Sequence, residues 1–158
     1  MKIKLALLTG LLVVLSSGLA LAQEPEPGDL GVGIVLGEPT GVTGKMWIDD
    51  DIALDTAMAW SFEKKGYFHL HGDYLFHDPF SRLEAEQGKF LLYYGPGFRM
   101  KFSDDDKTRI ALRVVGGLDY IFQDRPLDAF FEIAALVDVI PKTKADLNAG
   151  IGIRYYFH

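Results

Sequence analysis

The sequence predicts an all-β protein, an eight-stranded antiparallel up-and-down β-barrel. Three observations point there. Eight segments of about ten residues alternate side-chain character with a period of two, which sorts residues onto the two faces of a strand. Short clusters of Asp, Gly, Pro, Ser and Lys separate these segments, so consecutive strands become antiparallel neighbours. One face of nearly every segment is apolar or aromatic, whereas the other mixes mid-strand charges with glycine and alanine.

Gln23–Asp29 reads as a polar leader in extended conformation, ahead of the barrel domain at 30–158. The first strand, Leu30–Gly37, sets Val32, Ile34 and Leu36 against Gly31, Gly33 and Val35, and Glu38-Pro39-Thr40-Gly41 turns the chain. The second, Val42–Ile48, stops at Asp49-Asp50-Asp51. In the third, Ile52–Trp60, Ile52, Leu54, Thr56, Met58 and Trp60 oppose Ala53, Asp55, Ala57 and Ala59, and a charged turn runs from Ser61 to Gly66. The fourth, Tyr67–Phe76, places Phe68, Leu70, Tyr74 and Phe76 opposite His69, His71 and Asp73.

The longest connection runs from His77 to Lys89, and its stretch from Phe80 to Gln87 has room for one helical turn. The fifth strand, Phe90–Phe102, carries Phe90, Leu92, Tyr94, Phe98, Met100 and Phe102 on one face, and Ser103 to Lys107 turns the chain. The sixth, Thr108–Phe122, is the clearest: Ile110, Leu112, Val114, Leu118, Tyr120 and Phe122 oppose Arg109, Arg113 and Asp119. The seventh, Leu127–Val139, sets Phe131, Ile133, Val137 and Val139 against Asp128, Glu132 and Asp138. After Pro141 to Lys144 comes the eighth, where Ile151, Ile153, Tyr155 and Phe157 alternate with Gly150, Gly152, Arg154 and Tyr156.

The N-terminus has its own signature. Lys2 and Lys4 precede an apolar run from Leu5 to Leu15, and Ala20-Leu21-Ala22 forms an A-x-A site, so residues 1–22 read as a signal peptide cleaved after Ala22. Its removal takes the formal charge from −6 to −8 and leaves one domain of about 136 residues. That acidity argues against nucleic acid as a partner recognised by charge. With no cysteine, the chain has neither disulfides nor an acylated anchor. No later stretch is long and apolar enough for a transmembrane helix, so entry into a membrane would require a closed barrel.

The type of polar residue separates a membrane barrel from a soluble one. A soluble barrel's outer face is rich in Lys, Glu, Thr and Ser, and glycine there would waste strand stability. Here Lys45, Asp55, Asp73, Arg99, Arg113, Asp119, Glu132 and Arg154 stand mid-strand among Gly31, Gly33, Ala53, Ala57, Gly95, Gly97, Gly117, Ala134, Gly150 and Gly152. A narrow lumen needs small residues beside a few large charged ones, and arginines there can pair bidentately with acids. The apolar face carries Trp60, Tyr74, Tyr94, Tyr120, Tyr155 and Phe157 near strand ends, as aromatic girdles require.

These features resemble a small eight-stranded outer-membrane protein of the OmpA/OmpX-like kind. The chain is also similar to an uncharacterised family of exported bacterial β-barrels, through Gly37-Glu-Pro-Thr-Gly41, Leu70 to His77, Tyr93-Tyr94-Gly95-Pro96-Gly97 and Pro126 to Glu132. Gly152, Tyr155 and Phe157 fit the terminal assembly signal of such barrels, although His158 stands where the last aromatic belongs. The resemblance implies an outer-membrane address in a diderm bacterium, with outer-membrane lipid and the barrel-assembly machinery as partners and a monomeric state. Its broad class includes structural barrels, adhesins and lipid A-modifying enzymes.

The residues themselves offer three chemistries. His69, His71 and Asp73 share a strand face and are metal-ligand types, but same-face adjacency does not fix a tetrahedron, and no metal or other cofactor is expected. Asp49 to Asp51 and Asp104 to Asp106 lack the ligand spacing of a calcium loop. Beyond the signal, serine occurs as Ser61, Ser81 and Ser103, all in predicted turns and outside any nucleophile-elbow context, so no catalytic residue is assigned. The expected role is structural or interactive in the cell envelope, not enzymatic. The alternatives are a soluble periplasmic barrel binding an apolar ligand and a lipid A-modifying barrel using a histidine such as His69 or His77.

Overall fold

A computed structural model describes residues 25–61, 67–103 and 108–157. The expected signal peptide, the first leader residues, the turns at 62–66 and 104–107, and His158 lie outside them. The described residues form nine strands: β1 (Leu30–Gly37), β2 (Gly41–Asp49), β3 (Ile52–Ser61), β4 (Tyr67–His77), β5 (Leu83–Ala85), β6 (Gly88–Ser103), β7 (Thr108–Phe122), β8 (Leu127–Ile140) and β9 (Lys144–Phe157). Eight of them close a barrel. Every pairing is antiparallel, β1 joins β9 at one seam, and β4 joins β6 where β5 would otherwise intervene. All eight barrel strands therefore have neighbours on both sides, which removes the free edges of an open sheet. Among the described residues no helix is long and apolar enough to cross a membrane.

The first and sixth predicted strands coincide with β1 and β7, the second, third, fourth and seventh gain one or two residues at their ends, and the fifth gains three. Two expectations change. The helical turn expected within 80–87 is instead a 3₁₀ turn at Pro79–Ser81 followed by β5, which pairs with Lys89 and its neighbours on β6. Asp78 caps that turn by accepting from the Phe80 amide at 2.9 Å, and a proline at its start cannot extend it. The leader is not extended along its length either. The Asp29 carboxylate accepts from the Glu26 amide at 2.7 Å, and Gly28, at φ +102°, donates to the Trp47 carbonyl at 2.8 Å. A left-handed backbone at that point favours glycine.

Which face points inward is unambiguous. Lys45, Arg113 and Arg154 are at most 1% exposed, whereas Leu112, Val114 and Trp60 are 63–65% exposed. Apolar residues are also found inside, as three small clusters: Leu75, Tyr93, Val115 and Leu136 with two alanines; Trp47, Leu91, Ile121 and Tyr156 with Ala53; and Val35, Ala57 and Phe130. They fill the space between charges, and the small alanines make room for long side chains across the lumen.

The outer wall carries two belts of aromatic residues. At the end where β1 begins and β9 finishes, Tyr74 meets Phe76 at 5.1 Å, Phe90 meets Tyr120 at 4.7 Å, and Tyr155 meets Phe157 at 5.0 Å between ring centroids. At the opposite end Phe68 contacts Trp60 at 5.8 Å and Phe102 at 6.2 Å. Between the belts the wall is largely aliphatic and includes exposed Leu112, Val114, Ile133 and Ile151.

Candidate functional site

The charged lumen is the most distinctive chemical feature of the fold. Alternation delivers it: β4 sends His69, His71, Asp73, Leu75 and His77 inward, β7 sends Arg113 and Asp119, and β8 sends Asp128, Glu132 and Asp138. Glycines hold the space open. A Cβ at Gly97 would collide with the Asp73 carboxylate, and one at Gly152 would strike the Phe130 ring.

Arg154 is the hub. Its Nε donates to both oxygens of Asp128 at 3.0 and 3.2 Å, its Nη2 to Asp119 at 3.0 Å, and its Nη1 makes a short bond to Asp55. The guanidinium also lies 4.0 Å from the Phe130 ring centre, and Tyr156 donates to Asp128 at 2.6 Å. These partners come from β3, β7 and β8, so one side chain ties three other strands to β9. Arginine suits this position because its planar fork can satisfy several carboxylates and stack on a ring at once.

Arg113 forms a second knot, donating through Nε to Asp73 at 3.0 Å and through Nη2 to Glu132 at 2.7 Å. Nearer the opposite rim, Arg99 Nη2 donates to Asp138 at 2.6 Å and Nη1 to Asp146 at 3.3 Å. Lys45 forms a third kind of site. It is bonded to Asp119, lies 2.8 Å from His77 Nε2, and sits over the Trp47 and Tyr93 rings at 4.6 and 5.3 Å. Asp119 thus bridges Lys45 and Arg154. Buried charge is tolerated here because each cation is matched with acids; removing one partner would leave an uncompensated ion.

All eight sequence-predicted network residues, Lys45, Asp55, Asp73, Arg99, Arg113, Asp119, Glu132 and Arg154, lie inside the barrel. Sequence reasoning left out Asp128, Asp138, Asp146, His77 and Tyr156. Asp128 and Asp138 already stood on the polar side of their segment. His77 ends β4, and continuing that strand's alternation by one residue would have found it.

The metal candidates are rearranged. His69 Nε2 lies 3.3 Å from His71 Nδ1, and Asp55, the cross-strand partner of Asp73, takes the place of His69 in the compact group. Ligand atoms of Asp55, His71 and Asp73 all fall within 4.8 Å of one another. Both carboxylates are nevertheless held by guanidinium groups, Asp73 by Arg113 and Asp55 by Arg154, so a cation would have to displace two arginines. The geometry fits a charge network better than an ion site. Ser61 and Ser103 end strands, and Ser81 is committed to structure, donating to the Asp78 carbonyl at 2.7 Å and accepting from the Leu92 amide at 2.9 Å.

The knots make a quantitative expectation. Glu132→Ala should destabilise the barrel by about 1–3 kcal/mol, because Arg113 Nη2 loses its acceptor in a buried place. Glu84→Ala, on the exposed short strand β5, should stay within about 0.5 kcal/mol of the parent. Urea titrations of the two variants in the same detergent measure the difference; equal, small shifts would refute the pairing.

Comparison with known proteins finds the fold. A crystal structure of the N-terminal β-barrel domain of Pseudomonas aeruginosa OprF is similar, with a TM-score of 0.57 and 12% sequence identity. The likeness covers 82% of this chain and 96% of that domain. No protein-family model and no curated protein matches the sequence. The eight-stranded barrel expected from sequence is therefore the fold found, and the identity is too low to carry a function across.

Proposed function

We propose that this chain is a barrel of the diderm outer membrane, with a structural or interaction role in the cell envelope. One observation carries the proposal: the polarity is inverted relative to a soluble protein, with arginines buried and leucines, valines and isoleucines covering the outer wall. An apolar surface of that extent would be an aggregation hazard in water and is the natural boundary with hydrocarbon. The two aromatic belts support the same reading, since such rings favour the interfaces of a bilayer. The OprF barrel supports it as a fold capable of this architecture. The soluble apolar-ligand barrel is disfavoured because its binding cavity would occupy the lumen, which here holds charged side chains.

In this reading the barrel is a monomer, since closure leaves no barrel strand edge to pair with another copy. The last strand presents itself to the assembly machinery, and the barrel catalyses no reaction. Strand hairpins cross with their turns leading, so an even number of strands returns the start of β1 and the finish of β9 to the side of entry. The end carrying Leu30 and Phe157 thus faces the periplasm.

The test uses single cysteines in a chain that has none of its own. In intact outer-membrane vesicles, Leu112→Cys should react with an apolar maleimide and resist a charged, water-soluble one, while neighbouring Ala111→Cys should resist the apolar reagent. The protein should also fractionate with outer membranes and shift its gel band on heating. Recovery of a monomer soluble without detergent, or rapid labelling of Leu112→Cys by the charged reagent, would sink the proposal. Lipid A profiles should be unchanged on deleting the gene; an altered acylation pattern would favour the enzyme reading.

A further inference from the structure

The outer wall is not uniformly convex. A groove of about 510 Å³ crosses β1 to β4 and reaches β6, with Leu30, Met46, Leu54, Tyr74 and Phe98 as its apolar sides. Small residues make its floor. Gly44 pairs with Thr56 and Thr56 with Gly72, so the low stripe is set by register across three adjacent strands. Pro96, which has no amide proton, lies where the β4–β6 ladder is interrupted between the Asp73–Gly97 and Phe76–Tyr94 pairs. The hollow is therefore built into the strand order and does not depend on a mobile side chain.

We infer that this groove holds one acyl chain of a phospholipid of the periplasmic leaflet, with an ethanolamine headgroup at the acidic turn below it. The inference rests on the membrane reading above. Lipid tails are as apolar as leucine, so apolarity alone gives no preference for one lipid over the surrounding bilayer. A preference has to come from shape and from the headgroup. The groove supplies shape, surrounding a chain with contacts that a convex wall cannot make, and its size lies within the ~300–1,000 Å³ typical of small-molecule sites.

The headgroup argument is one of charge. The groove runs from mid-wall toward the end assigned to the periplasm, through Met46 and Leu54, which face each other across β2 and β3. Those strands are joined at the same end by Asp49, Asp50 and Asp51, of which Asp49 and Asp50 are exposed. Carboxylates at the headgroup level attract an ammonium and repel an anionic headgroup. The combination selects a zwitterionic amine lipid over phosphatidylglycerol.

The experiment refolds the full barrel into detergent micelles and adds dipalmitoyl phosphatidylethanolamine or dipalmitoyl phosphatidylglycerol, with bound lipid counted by native mass spectrometry. The parent should retain one phosphatidylethanolamine and bind phosphatidylglycerol at least several-fold more weakly. Gly44→Phe should lower retention roughly tenfold, since a side chain there meets nothing nearer than 3.6 Å and projects into the groove. Gly116→Phe, at an equally open outward glycine on β7, should leave it unchanged. Asp49→Asn with Asp50→Asn should erase the headgroup preference and keep the chain.

Should Gly44→Phe fail to fold, the fluorescence added by Leu54→Trp should be quenched by brominated phosphatidylethanolamine more strongly than that added by Leu112→Trp. Equal retention by the parent and Gly44→Phe, equal binding of both lipids, or equal quenching at both positions would overturn the inference while leaving a heat-shifting membrane barrel intact. A chain that stays soluble without detergent would overturn both.

Discussion

Arg154→Met is expected to leave the barrel largely unfolded. The substitution keeps an apolar stem of similar length and removes the guanidinium that satisfies Asp55, Asp119 and Asp128. Breaking a buried ion pair by deleting one partner costs about 3–5 kcal/mol, and here Asp55, Asp119 and Asp128 lose their guanidinium at once, with Lys45 left to Asp119 and the Tyr156 hydroxyl to Asp128. Against the ~5–15 kcal/mol that usually separates folded from unfolded states, that loss is decisive. Refolding from urea into lipid vesicles, followed by the heat-dependent band shift, measures it. Arg154→Lys should fall between the parent and Arg154→Met, because an ammonium keeps the charge but cannot span acids on three strands. A parent-like midpoint for Arg154→Met would mean that the network contributes nothing to the fold.

The same residues explain how much of the structure was legible. Arg113 and Arg154 stand in segments whose other face is continuously apolar and whose own face holds glycines, so their inward direction could be read from alternation alone. The pairing could not. Arg154 and Asp55 are 99 residues apart and belong to strands separated by β1 and β2, so their meeting depends on barrel stagger as well as hairpin order. The place of His77 in the network is hidden for a simpler reason: Asp78 and Pro79 carry loop chemistry, so the fourth strand reads as ending at Phe76, one residue short of it. The three-residue strand β5 lies below the length at which alternation is informative. The groove was invisible because Gly44, Thr56 and Gly72 become neighbours only through the register of three strands.

Val114→Arg should separate the membrane reading from the soluble one with an effect nearly as large. Val114 is 64% exposed and sits midway along β7, between Tyr120 toward one aromatic belt and the opposite end of the strand at Thr108. If that wall meets hydrocarbon, an arginine near the bilayer midplane costs about 2–4 kcal/mol, falling toward zero at the interfaces. Placing arginine at Leu112, Val114 and Gly116 in turn should therefore trace a profile with its maximum near the middle. In a soluble barrel the order reverses, because a charge on a water-facing wall disperses an apolar patch and costs nothing comparable. Refolding free energies in vesicles give the profile; a flat one, or a gain in stability at Val114, would remove the bilayer from the account of this fold.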